Sequence, residues 1–349
     1  MKSREEQLDD RSKRILRELI SLYCITGEPV GSRTLSKRIK LGLSPATIRN
    51  VLSDLEQLGF IAQPHTSAGR VPTDQGYRFY VNYLMKNHAL NSSQKELIES
   101  RMLERKGDLQ NLLLLTTELM SNFSHNIALA MTPNLEKLVL ENIDFVQINS
   151  QRLLAIVITR GGVVSNKIIE LDEPITQAEL TRIANYIKTE FGSQTLPSIR
   201  KRILELMKQE QTQYDQLLKK AMILGKKMLE TSIATEHLVI TGASQLIQFP
   251  EFANIQATRA ILEALEEKSK IVRILTQCIE GEGIHIIIGS ESHDPELKGL
   301  SFVSAPYKYH DEAVGTLGIL GPTRMEYGRM VPFVEHLAKI VSKILSKEN

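Results

Sequence analysis

The 349-residue sequence predicts an α+β multidomain protein that opens with a winged helix-turn-helix. Three observations predict this. The run Leu43-Ser44-Pro45-Ala46-Thr47-Ile48-Arg49-Asn50 reads as a helix start with a polar, partly basic leading face. A strand-loop-strand pattern follows it over Phe60–Pro72. Farther on, segments rich in Val and Ile stand at both ends of a body whose middle is rich in helix formers, as in an α+β domain interrupted by an insertion.

Taken in order, a first helix is expected from about Asp10 to Ile25, capped by Asp9 or Asp10. Ile15, Leu16, Leu19, Ile20, Leu22 and Tyr23 form its buried stripe. Thr26-Gly27-Glu28-Pro29 ends it. Ser32 is read as the cap of a short second helix, Arg33–Ile39. Leu41-Gly42-Leu43 is a tight turn with glycine where a left-handed backbone is expected. In the third helix Ser44 is the N-cap and Pro45 takes the first helical position. Ile48, Val51, Leu52, Leu55 and Leu58 make one apolar stripe, which leaves Thr47, Arg49, Asn50 and Ser53 facing outward. Gly59 stops the helix.

Phe60-Ile61-Ala62 and Arg70-Val71-Pro72 read as the two strands of a wing. Its tip, Gln63-Pro64-His65-Thr66-Ser67-Ala68-Gly69, is small and polar. A further helix starts at Thr73, with Tyr77, Tyr80, Val81 and Leu84 spaced for packing. Such an ordered set matches the helix-turn-helix arrangement with a wing able to reach phosphates or the minor groove.

Beyond it, residues 86–135 look mostly helical, with the apolar run Leu112–Leu115 either buried or packed against a partner chain and a break at Gly107-Asp108. Val139–Ile148, Leu153–Thr159 and Val163–Leu171 read as strands, with turns at Asn149-Ser150 and Gly161-Gly162. Ile199–Met207 and Tyr214–Leu229 carry helical stripes that suit either a solvated subdomain or a dimer surface. Strands return at Ile284–Ile288, Phe302–Ala305 and Gly315–Leu320, before a closing helix at about Arg324–Leu345.

Net charge of +2 decides nothing, but its distribution does. Residues 1–90 hold 14 Lys/Arg against 9 Asp/Glu, a surplus of +5, and the rest of the chain holds 29 against 32, so −3. A basic amino-terminal module on a slightly acidic body suits DNA binding at one end. Cys24 and Cys278 sit among apolar neighbours and read as buried thiols, in keeping with a reducing cytoplasm. No signal-peptide pattern or transmembrane run is evident, so a soluble cytoplasmic protein is expected.

Four segments closely resemble the heat-inducible transcription repressor family, HrcA. They are Gly27-Glu28-Pro29-Val30-Gly31-Ser32-Arg33-Thr34-Leu35, Leu43–Asn50, Gln63–Arg70 and Gly76-Tyr77-Arg78-Phe79-Tyr80-Val81. The likeness continues in Ala305-Pro306-Tyr307 and Gly315–Met325, so it brackets the chain. The resemblance implies a homodimeric repressor that binds an inverted-repeat operator, CIRCE, upstream of chaperone operons. It also implies that the GroE chaperonin maintains operator binding, and that the body is a GAF-like α/β domain interrupted by an inserted dimerisation domain. On that basis residues 1–86 are the winged helix, 87–105 a helical linker, 106–172 and 255–349 the two parts of the GAF-like domain, and 173–254 the insertion.

No enzyme is expected, because no phosphate loop, HExxH, GxSxG or CxxC occurs. Neither a cofactor nor a metal is expected. His285 reads as a strand residue, and the glycines of Gly315–Arg324 as a tight strand-to-helix connection in preference to an anion cradle. The candidate DNA contacts are Ser44, Thr47, Arg49 and Asn50 on the third helix, with Arg33, Thr34, His65, Thr66 and Arg70 as backbone or wing contacts. Arg49 has the chemistry to read guanine and Asn50 adenine, or both contact phosphates if the helix sits differently. Two other classes of function stand beside this one. One is a sensor whose GAF-like body binds a metabolite, and the other a scaffold whose winged helix binds protein.

Overall fold

The computed structural model describes residues 8–39, 42–65, 68–88, 90–104, 109–132, 139–159, 164–171, 173–195, 198–199, 201–203, 205, 216–229, 238–252, 255–279, 281, 283–309 and 312–347. Thr66 and the breaks read at Gly107-Asp108 and Gly161-Gly162 lie outside them.

The amino-terminal head contains α1 (Asp10–Thr26), α2 (Ser32–Arg38), α3 (Pro45–Gln57), the wing strands β1 (Ile61–Ala62) and β2 (Val71–Pro72), and α4 (Asp74–Phe79). Helix α4 continues as a single π-helical stretch, Tyr80–Leu84. Asp9 caps α1 by accepting from the Ser12 amide at 2.7 Å, and Gly27 closes it in the left-handed conformation at φ 70°. Helix α2 differs from expectation at its start. Gly31 holds the N-cap position, and Ser32 is the first helical residue. Gly42 is left-handed at φ 65°, as a tight turn requires.

The expected helical linker forms a helix over most of its described residues and packs into the core. Helix α5 (Ser92–Glu104) buries Ile98 and Met102 in the same apolar core as the head, and α6 (Leu109–Ser124) follows in that core. The body's sheet then has five antiparallel strands in the order β7-β3-β10-β9-β8. They are β3 (Ile127–Met131), β7 (Leu238–Thr241), β8 (His285–Ile288), β9 (Leu300–Tyr309) and β10 (Glu312–Pro322). One face packs on α6, the head and the closing helix α11 (Tyr327–Lys347). The other packs on α9 (Ile255–Glu266) and α10 (Lys268–Ile279). The β10 glycines make room inside the sheet. A Cβ on Gly315 would lie 2.3 Å from the Tyr307 hydroxyl, which crosses the sheet to donate to the Met131 carbonyl at 2.8 Å.

The expected domain boundaries need correction. Strands β4 (Leu140–Gln147), β5 (Arg152–Thr159) and β6 (Val164–Glu170) pair with one another in a separate three-stranded sheet. Helices α7 (Gln177–Phe191) and α8 (Gln216–Leu229) share the core of that sheet. The inserted unit therefore begins near Val139, not at 173, and β7 at 238–241 already belongs to the body. Strand propensity reports that a segment is extended but not which sheet it joins.

Candidate nucleic-acid interface

Helix α3 is built to present one polar face. The Ser44 hydroxyl accepts from the Thr47 amide at 3.1 Å and lies 3.0 Å from the Thr47 hydroxyl. Ile48, Val51, Leu52 and Leu55 are buried on the inner side. Burying each stabilises the helix's seat by about 1.5–3 kcal/mol. Ser44, Arg49, Asn50, Ser53 and Gln57 are exposed on the other side, and Thr47 is half-buried. Positions 49, 50, 53 and 57 repeat at helical spacing, so they form one stripe. Ser53 and Gln57 thus extend the face beyond the residues singled out from sequence. Arg33 and Thr34 are exposed on the first turn of α2, which packs on α3.

The wing is anchored more firmly than its sequence suggests. Ile61 pairs with Pro72 and Ala62 with Val71, and Val30 adds a bridge to Arg70. The Val30 and Arg70 amides each donate to the other's carbonyl at 2.9 Å. Gly69 permits this approach, since a Cβ there would lie 2.5 Å from the Val30 carbonyl carbon. At the tip, the Ala68 amide donates to the His65 carbonyl at 2.9 Å, and His65 itself is exposed.

Arg70, expected as a backbone or wing contact, has a partner within the protein. Its Nε and Nη2 donate to the Glu56 carboxylate at 3.0 and 2.9 Å. Arg70 therefore ties the wing to the last turns of α3. A fourteen-residue separation gives no local sequence signal for that pair. Arg70→Ala should weaken binding to all DNA sequences by releasing the wing. Glu56→Gln separates the roles. If the ion pair positions the wing, this variant weakens binding too; tighter binding in a gel-shift titration would assign the guanidinium to phosphate.

The body docks on another side of the head and leaves the α3 stripe open. From α4, Arg78 donates to Glu291 and to the Ile286 carbonyl, capping the exposed edge of β8. The Asp74 carboxylate accepts from the Ser290 amide at 2.9 Å and hydroxyl at 2.7 Å. Tyr77 packs against Tyr327, ring centroids 6.0 Å apart. Cys24 lies in this junction, its thiol pushed up to about 12 by burial, and Cys278 is raised by burial elsewhere in the body. Both thiols are inert in that setting. No cluster of His, Cys, Asp or Glu that would hold a metal occurs among the described residues.

Residues 7–84 match the family model described as winged helix-turn-helix transcription repressor, HrcA DNA-binding. Residues 110–331 match the HrcA protein C terminal domain. The chain belongs to the HrcA family. It is 38% identical over 98% of its length to the heat-inducible transcription repressor HrcA of Geobacter sulfurreducens, covering 99% of that protein. Identity to the HrcA of Syntrophobacter fumaroxidans is 35%, over 97% of this chain and 98% of that one. HrcA relatives are named as transcription repressors, a non-enzymatic role. A crystal structure of a protein described as hypothetical shares the fold, with a TM-score of 0.61 at 22% identity, over 99% of this chain and 100% of that one.

Proposed function

We propose that this protein is a cytoplasmic, homodimeric repressor of heat-shock chaperone operons that binds an inverted-repeat operator of the CIRCE type. The exposed stripe of Arg49, Asn50 and Ser53 on a helix whose opposite face is buried carries this reading. The stripe fits the major groove, with Arg49 matched to guanine and Asn50 to adenine. His65 at the wing tip, and Arg33 and Thr34 on α2, would take backbone contacts; Thr66 is proposed with them from the sequence alone. Arg49→Ala should weaken specific binding by about 1–3 kcal/mol and relax preference at one base pair. Competition binding at fixed salt checks this, and unchanged operator affinity would reject the orientation.

The inserted unit supports dimerisation. Its helices cover one face of the β4-β5-β6 sheet. On the other face Val146, Leu154 and Ile168 stand in register, and Ile158 pairs with Val164. Val164 and Ile168 are each 57% exposed. Two-fold protein symmetry matches a palindromic site. The same apolar face, bare in a monomer, is a surface for the GroE chaperonin, so chaperonin occupancy would control the supply of dimer. In a refolding assay after heat treatment, added chaperonin should speed recovery of operator binding.

A metabolite-gated reading would use a cavity of about 520 Å³ between α1, α5 and α11. Its carboxylates and guanidiniums are paired among themselves, Glu18 with Arg38 at 3.6 Å and Glu326 with Arg329 at 2.8 Å. No unpaired charge there selects a ligand, so the repressor reading stands first.

A further inference from the structure

Arg324 stands at the corner between β10 and α11, with its side chain 13% exposed. One nitrogen, Nη1, donates at 3.1 Å to the carbonyl of Cys24, in the last turn of α1, where helix carbonyls lack intrahelical partners. Its Nε pairs with Glu251. The guanidinium lies over the Phe249 ring, 5.4 Å from the centroid. Glu251 lies in the second of two 3₁₀ segments that follow β7, and Phe249 lies between the two. One planar cation thus joins the end of α1, the corner of the body's sheet and the segment behind β7, the first body strand after the inserted unit.

We propose that Arg324 fixes the orientation of the DNA-binding head relative to the dimer axis, and so determines which half-site spacing the protein accepts. This rests on the dimeric-repressor reading above. Spacing between half-sites is a geometric property of two rigidly held recognition helices. Arg78 fastens the head to β8 at a second place, but that contact does not reach the segment behind β7. Among the charged head–body contacts described, Arg324 alone reaches the segment behind β7. Lysine cannot replace it, because one ammonium lacks the flat fork that meets a carbonyl, a carboxylate and a ring together.

The test measures binding of the full chain to three duplexes. They are the footprinted operator, the same operator with about 5 bp inserted between half-sites to put them on opposite faces of the helix, and a single half-site. Wild type should lose about 100-fold on the insertion. Arg324→Gln should bind the half-site normally, bind the operator more weakly, and lose less than about threefold on the insertion. Arg324→Lys should fall between. An Arg324→Gln protein with the wild-type insertion penalty overturns the proposal. If that variant also loses half-site binding, Glu251→Gln decides, and a wild-type penalty in it overturns the proposal equally. A wild-type protein indifferent to the insertion would instead sink the dimer reading itself.

Discussion

Ile168→Asp is expected to leave the protein folded but monomeric, and to lower operator affinity by about 10²-fold or more, the contribution of linking two half-site contacts. Ile168 projects from the uncovered face of the inserted sheet, beside Leu154 in the cross-strand register. Its side chain is 57% exposed in the single chain, so the substitution removes little packing within it. In a dimer the same carboxylate would be buried without a partner, which costs several kcal/mol. Sedimentation velocity and operator titration on one sample check both parts. A dimeric Ile168→Asp protein with full affinity would move the dimer contact to another surface.

Gly76→Ala is expected to destabilise the head by about 3 kcal/mol, at the upper end for overpacking. A Cβ on Gly76 would lie 2.0 Å from the Phe60 carbonyl oxygen. That oxygen cannot simply move away, because it accepts from the Thr73 amide at 3.1 Å. Thr73 also holds the wing's base, its hydroxyl donating to the Gly59 carbonyl at 2.6 Å and accepting from the Gly76 amide at 3.1 Å. The added methyl would therefore separate α4 from the start of β1. Chemical denaturation should show the loss, and specific DNA binding should fall with it. Wild-type stability in this variant would mean that α4 can shift without cost.

The head was almost fully legible in the sequence, because its signals are local. Ser44 capping, the Ile48–Leu55 stripe and Gly59 each act within a few residues of themselves. Strand β3 was not legible. Ile127-Ala128-Leu129-Ala130-Met131 is buried on both faces, so it shows no alternation, and its Ala, Leu and Met favour helix. The strands β4, β5 and β6 were readable as strands, but their membership of a separate sheet depends on pairing partners that no residue encodes alone. The interface followed the same division. The outward placement of Arg49 and Asn50 was visible from the helix pattern, whereas the contacts of Arg70 depend on Glu56, and those of Arg324 on Cys24, Phe249 and Glu251.

Hydroxyl-radical footprinting of the purified full-length protein on a CIRCE-type duplex tests the central claim most directly. The account predicts two symmetric protected half-sites, their centres separated by whole helical turns of about 10–10.5 bp, with Arg49→Ala losing both together. A single asymmetric footprint, or protection that Arg49→Ala leaves intact, would contradict it.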